Sequence, residues 1–383
     1  MRYIEAAGPQ PARIVWSASD FKAAAECEFA WLRAIDAKLG RVPAVDEPDD
    51  PTLERAGRLG TQHELRVLER YRETHPGTVV EIPETRSADA TAMDAAVTAT
   101  VRALGDPAAS VVYQAAFATG EFVGFADFLL RGDDGRWIVQ DTKLARHARV
   151  TALMQLAAYV DQLDRLGIAR ADEVELLLGD GTTSVHRVAD LMPVFTLRRE
   201  RLRALIADRD LAAGASGTPI AWGDDRGALH VVACGRCATC DLEVVGQRDL
   251  LLVAGMRPVQ RERMRAGGVD TIDALAAASA PPEGLGAEVW ESLRTQARLQ
   301  LASERQQTDA ASRPPAPAYE VVSAAALGAL PRPDHGDLFF DFEGDPLYTE
   351  HTGGANVWGI DYLFGWVDTR EQYSALWAHT FAD

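Results

Sequence analysis

Four cysteines constrain this chain more than any other feature. Cys27 stands alone, and Cys234, Cys237 and Cys240 form C-x2-C-x2-C within Ala233-Cys234-Gly235-Arg236-Cys237-Ala238-Thr239-Cys240. Unrelated buried thiols have no reason to gather at a three-residue period in a polar, glycine-containing loop. In a cytosolic chain, close thiols point to a metal site rather than to disulfides. Three cysteines at this spacing with a remote fourth match one cubane of the bacterial ferredoxin type, whereas structural zinc more often uses two separated C-x2-C pairs. The spacing therefore favours a [4Fe–4S] cluster, with Zn²⁺ as the alternative. Either would tie position 27 to position 234, across 207 residues of chain. Loop-closure arguments put such a staple on the order of 5 kcal/mol, comparable with the net stability of a whole domain.

The rest of the chain has room for more than one core. At 383 residues, two or three domains are expected. Hydrophobic content of 47% is that of a globular protein, and no run of 18 apolar residues offers a membrane span. The stretch Met1-Arg2-Tyr3-Ile4-Glu5-Ala6-Ala7-Gly8 lacks the apolar core of a signal peptide, so a cytoplasmic location without a membrane partner is expected. The net charge of −18 opposes blanket attraction to nucleic acid. Such a partner would need a locally basic groove. Arg198, Arg199, Arg201 and Arg203, and later Arg257, Arg261, Arg263 and Arg265, are candidate pieces; otherwise they are solvated helix faces.

A second pattern carries the chemistry. Asp141-Thr142-Lys143 ends the apolar run Trp137-Ile138-Val139, and Asp127 precedes it in Gly124-Phe125-Ala126-Asp127-Phe128-Leu129-Leu130. The turn-rich Arg131-Gly132-Asp133-Asp134-Gly135-Arg136 between them predicts a hairpin. Residues i and i+2 of a strand share a face, so Asp141 and Lys143 project together. A carboxylate pair with an adjacent ammonium can hold a divalent cation beside a phosphate and position a water for attack. Lysine is also scarce: Lys22, Lys38 and Lys143 are the only ones. A compact ammonium orients a small nucleophile in a way a guanidinium fork does not. The plain alternative is a surface ion pair at a strand end.

A coarse pass places these residues. Ser17 to Asp20 offers N-cap residues for a helix reaching about Leu39 and carrying Cys27. An acidic, proline-containing loop at 46–51 precedes a helix near 53–71 that contains His63. Another helix covers 92–104. Strands are expected at 111–118, 122–130 and 137–144, a helix at 150–166 ended by Gly167, and strands at 174–178 and 183–188 around Gly179-Asp180-Gly181. A helix at 191–211 leads to the cysteine loop. This is an α/β core with a helical cover. Gln155 and Tyr159 lie at i and i+4, on one face of the helix that follows the D-x-K strand.

In order, Ser17-x-Ser19-Asp20, Cys27, His63, Gly124-x-x-Asp127, Asp141-x-Lys143, Gln155-x3-Tyr159 and the three clustered cysteines resemble the RecB-type branch of PD-(D/E)xK nucleases. More narrowly, the set is similar to the iron–sulfur branch shared with AddB-type and CRISPR-adaptation nucleases. The resemblance covers about residues 14 to 245. It implies a restriction-endonuclease-like α/β core and Mg²⁺ or Mn²⁺ held by His63, Asp127, Asp141 and the Thr142 carbonyl. It further implies that Lys143 orients or activates the attacking water and that Gln155 and Tyr159 belong to the motif contacting the strand. The implied activity is hydrolysis of phosphodiester bonds, on DNA with single-stranded ends, in repair or end processing. Alternatives are a non-catalytic DNA clamp serving a helicase and an RNA-processing nuclease with a zinc staple. Two departures stand out: Glu28 follows Cys27 where relatives often have proline, and the last cysteine gap is short.

The domain plan is a nuclease domain over 1–245, a helical connector over 246–310, a proline-rich linker over 311–318 and a last segment over 319–383. In the connector, two short helices around Gly267-Gly268 would suit a helix–hairpin–helix, whose turn amides can grip a phosphate, or a plain helical spacer. Ser312-Arg313-Pro314-Pro315-Ala316-Pro317 reads as a stiff spacer. Leu338-Phe339-Phe340-Asp341-Phe342-Glu343-Gly344-Asp345 resembles the first strand motif of RNase H-like 3′–5′ exonucleases, in which an Asp-x-Glu pair begins a two-metal site. Asp341 and Glu343 are therefore a second candidate metal pair, in what is expected to be a truncated domain. No Walker P-loop occurs, so no ATPase is expected of these residues.

Overall fold

Glycine and N-cap residues set most element boundaries in the computed structural model, which describes all residues but 47–48, 84, 86–88, 146, 310–315 and 353–354. The chain opens with paired strands β1 (Arg2–Ile4) and β2 (Arg13–Val15), then helices α1 (Ala18–Glu26) and α2 (Glu28–Lys38). Asp50 caps α3 (Pro51–Thr74) by accepting from the Thr52 and Leu53 amides, with Pro51 at the first helical position. Strand β3 (Val79–Glu81) and helix α4 (Ala90–Gly105) follow, and then β4 (Val111–Ala118), β5 (Val123–Arg131) and β6 (Trp137–Lys143). Helix α5 (Val150–Arg165) leads to β7 (Glu173–Leu178), β8 (Thr183–Arg187) and α6 (Val188–Ala207). Beyond the cysteine loop come α7 (Ala238–Gly246), α8 (Pro258–Ala266), α9 (Ile272–Ala277), α10 (Ala287–Asp309) and the short α11 (Ala324–Gly328). Strands β9 (Leu338–Thr352), β10 (Ala355–Asp368) and β11 (Tyr373–Trp377) close the chain as a separate antiparallel sheet.

The central sheet has six strands in the order β3-β4-β5-β6-β7-β8, with β3–β4 and β6–β7 parallel and the other pairs antiparallel. It is mixed, and helices cover both faces. Neighbouring residues show the alternation: Val111, Phe128 and Leu177 pack with Val67 and Leu68 of α3, whereas Val112, Leu129 and Leu176 enter the main core with α1, α4, α5 and α6. The expected hairpin joins β5 to β6, turning at Gly135 with φ +80°. Residues of 250–301, among them Met264, Ile272, Trp290 and Ala297, form their own apolar cluster. No helix among the described residues is long and apolar enough to cross a membrane.

The structure departs from the sequence reading in several places. The helix expected to run unbroken to Leu39 stops at Glu26 and restarts at Glu28, with Cys27 extended between them. The cause is long-range: the Phe29 amide donates to the Val232 carbonyl, and the Cys27 thiol caps α2 by accepting from the Ala30 amide. Helix α6 begins at Val188 and ends at Ala207, nearer the sheet than the expected 191–211. Strands β1, β2 and β3 have three residues each, too few for alternation to show. Most of the proline-rich linker, residues 312–315, lies outside the described residues.

Six of the eight arginines in the two clusters are already engaged. Arg199 pairs with Asp161, Arg201 with Glu28, and Arg203 with Glu121 and Glu200. Arg261 pairs with Asp249, Arg265 faces Asp270, and Arg263 donates to the Gly284 carbonyl. These guanidinium groups tie helices together rather than waiting for a polyanion.

Candidate active site and metal centre

Adjacent strands β5 and β6 deliver Asp127 and Asp141 to one face of the sheet. The Thr142 amide binds them together, donating to Asp141 Oδ1 at 2.9 Å and to Asp127 Oδ2 at 3.2 Å, while its hydroxyl donates to Asp127 Oδ2 at 3.3 Å. Lys143 Nζ donates to Asp141 Oδ1 at 3.0 Å and lies 2.8 Å from Oδ2. Asp141 and Thr142 are buried and Asp127 is half-buried. Burial first, then the Asp141 charge and the charge of Glu64, push the Asp127 carboxyl well above its usual range. Burial opposes the charge on Lys143, but Asp141 and Asp127 outweigh it and hold its pKa up. At neutral pH Lys143 is an ammonium, an electrostatic group rather than a base.

The remaining predicted residues surround this pair. His63 is buried on α3, where burial lowers its pKa and keeps the imidazole neutral against a hydrogen bond with the Leu177 backbone. Leu177 pairs with Thr142 across β6–β7, so the ring flanks the D-x-K strand. Tyr159 of α5 is buried beneath the carboxylates. Burial, Asp127 and Asp141 raise its pKa, so the phenol stays protonated. Gly124 makes room for it: a Cβ there would lie 3.1 Å from the Tyr159 hydroxyl and 3.0 Å from the Phe122 ring. Tyr159 is thus packed under the site, and Gln155, one helical turn earlier, is half-buried with no side-chain hydrogen bond among the described residues. Sequence reasoning missed Glu64. Its carboxylate accepts from the Tyr113 hydroxyl at 2.9 Å and from Gln114 Nε2 at 2.6 Å, and its charge acts on both Asp127 and Lys143. Its place beside His63 was the available signal.

The donors fit a hard cation. One buried atom, His63 Nε2, has no hydrogen-bond partner, and two neighbouring carboxylates share the one ammonium of Lys143. Such a surplus of lone pairs and negative charge is costly to bury unless a cation joins it. The raised carboxyl of Asp127 gives a direct expectation. Its proton is bound more tightly when folded, so its ionisation opposes folding, a penalty absent below the ordinary carboxylate range and growing as pH rises from there to the raised value. Without added divalent metal, Asp127→Asn is expected to raise the melting temperature by a few degrees at neutral pH. Calorimetry at neutral and mildly acidic pH should show the gain shrinking with acid, and added Mg²⁺ should stabilise the wild type alone.

The four thiols converge more tightly. All four Sγ atoms lie within 4.8 Å of one another, with Cys27 3.5 Å and Cys234 3.9 Å from Cys240. Backbone amides point at the sulfurs: Ala30 and Cys234 donate to Cys27, and Arg236 and Cys237 donate to Cys234. The Cys240 thiol donates to Cys27 and, against burial, helps hold its pKa down to about 5, while that bond and burial push Cys240 up. Burial raises Cys237 to about 11. Gly235 turns the knuckle with φ +73°, and a Cβ there would strike Leu251 at 2.6 Å. The donor set suits a thiophilic metal or cluster. Among the described residues this is the one compact group of three or more such ligands; His63, Asp127 and Asp141 are more widely set.

Glu28, directly after Cys27, braces the staple. It forms a two-pronged pair with Arg201 at 2.7 and 2.6 Å and accepts from the Val232 amide. A second tie, also unseen in the sequence, closes the same loop. Asp36 is fully buried between Arg41 and Arg209, each at 3.1 Å, and accepts from the Ile220 amide.

Asp341 and Glu343 lie two residues apart on β9, opposite Gly365 and Leu363, at a shallow groove of about 230 Å³ shared with Phe339 and Tyr373. Both are exposed, and no third ligand is gathered with them among the described residues. Comparison with known protein families finds no match, and no curated protein is detectably similar in sequence.

Proposed function

We propose that this chain is a divalent-cation-dependent nuclease that hydrolyses phosphodiester bonds of DNA bearing single-stranded ends. The observation that carries the reading is the buried Asp127–Asp141 pair, joined through the Thr142 amide and faced by the one ammonium of Lys143. His63, Asp127, Asp141 and the Thr142 carbonyl would hold Mg²⁺ or Mn²⁺. The cation would supply Lewis-acid stabilisation of charge developing on the phosphate. Lys143 adds a second fixed positive charge, already oriented by Asp141, toward the same oxygens and the attacking water. Asp127 must be ionised to act as a ligand. Thr142 is a positioning residue that holds the two carboxylates together, and Gln155 and Tyr159 would belong to the face that meets the strand. Digestion of end-labelled single- and double-stranded DNA in Mg²⁺, comparing wild type with Asp141→Ala, tests the proposal; equal cleavage by the two would sink it.

The cysteine centre serves as a staple in this reading. Its spacing in sequence supports [4Fe–4S]. The sulfur separations support a second reading, a single Zn²⁺, because a tetrahedron with metal–sulfur bonds of about 2.3 Å has edges of about 3.8 Å. Protein purified without oxygen decides between them. A cluster gives broad absorption near about 400 nm and labile iron, whereas a colourless protein with one equivalent of zinc supports the single ion.

A further inference from the structure

The last sheet contacts the central sheet's surroundings at the start of α3 and just beyond the end of β7. The β9–β10 hairpin shifts register between Trp358 and Ile360, at Gly359 with φ +80°. Beyond that bulge, residues 345–350 paired with 357–360 form an arm. The arm touches two elements that flank the carboxylates. Asp345 Oδ2 is 2.6 Å from Nη2 of Arg55, near the start of the helix that carries His63 and Glu64. Trp358 lies against Gly179, where a Cβ would sit 3.4 Å from the indole Cζ2 and 3.3 Å from the Leu144 backbone. Gly179 follows Leu178, the strand partner of Lys143, and its amide donates to the Ala145 carbonyl. The arm thus runs from the start of α3 to the loop that ends the D-x-K strand.

The contact is built to be weak. Arg55 is nearly half exposed, so its ion pair contributes little. Trp358 Nε1 is buried with no acceptor, a cost that withdrawal into water relieves. A contact of this kind is one that a competing ligand can displace.

We propose that the β9–β10 arm is a gate over the acidic site, latched by Arg55–Asp345 and by Trp358 on Gly179, and that an entering nucleic-acid strand displaces it. The proposal rests on the reading of that site as a nucleic-acid site. The test uses the full chain with Arg55→Ala and Asp345→Asn. One variant removes a cation and the other an anion, yet each unlatches the arm. Both are expected to bind a fluorescent single-stranded oligonucleotide in Ca²⁺ about two- to five-fold more tightly and to cleave it faster in Mg²⁺. Hydrogen exchange should rise in the first turns of α3 and at 177–182, with β5 and β6 unchanged. Opposite binding shifts in the two variants would reveal plain surface electrostatics and overturn the gate, as would unchanged exchange. If binding and exchange shift together but no form cleaves, the gate stands and the nuclease reading falls. If wild type cleaves and both variants match it in binding, cleavage and exchange, the gate falls and the nuclease reading stands.

Discussion

Lys143→Ala is expected to lower Mg²⁺-dependent cleavage by about 10²–10³-fold, the loss seen when one preorganised charge-stabilising donor is removed. Asp141→Ala should cost at least as much, since it deletes a proposed cation ligand and releases Lys143 from the two oxygens that hold it among the described residues. The two substitutions separate by metal dependence. Loss of Asp141 should raise the Mg²⁺ concentration needed for half-maximal activity. Loss of Lys143 should lower the maximal rate and leave that requirement nearly unchanged. Lys143→Arg should not restore the rate, because a guanidinium fork is broad and planar where Asp141 presents a site for a point charge. Full activity of Lys143→Ala under saturating Mg²⁺ would remove the ammonium from the mechanism and support a DNA clamp instead.

Cys27→Ser is expected to be the most destabilising single change. It removes the one thiol from the N-terminal helices and so opens the long loop that ends at Cys234. Loop closure alone suggests a loss on the order of 5 kcal/mol, enough to unfold a domain of ordinary stability. The Asp36–Arg41–Arg209 tie and the Glu28–Arg201 pair span the same loop and will retain part of the order. The expected outcome is a large fall in denaturation midpoint with loss of bound metal, while Asp141→Ala keeps both. A Cys27→Ser protein as stable as wild type, with its metal gone, would show that the ion pairs close the loop without the staple. Removal of metal from wild type by a chelator should reproduce the instability of the serine variant.

Much of the site was legible in the chain because its signals are local. Alternation and a glycine turn announce β5 and β6, and a two-residue offset places Asp141 and Lys143 on one face whatever the rest of the fold does. The three-residue period of Cys234, Cys237 and Cys240 is likewise visible without coordinates. The break at Cys27 was not. Residues 18–38 contain neither proline nor glycine, and the helix is interrupted only by pairing of Phe29 with Val232 and by the thiol turning toward Cys240. The ion pairs of Arg199, Arg201 and Arg203 with Asp161, Glu28 and Glu121 were hidden for the same reason, since those carboxylates lie far away in sequence.

The sequence by itself determined which groups exist, their local spacing and the strands and helices that carry them, since backbone period and turn chemistry act over a few residues. Long-range contacts make Asp127 and Asp141 share one amide, set the Glu64 charge beside them, place His63 against Leu177 and bring four thiols together. The tertiary structure alone set protonation, because burial and neighbouring charge, not residue type, raise the Asp127 carboxyl and keep Lys143 charged. It alone brought a distant hairpin against Arg55 and Gly179. Each of these depends on contacts between segments tens to hundreds of residues apart, and no local pattern encodes where such segments come to rest.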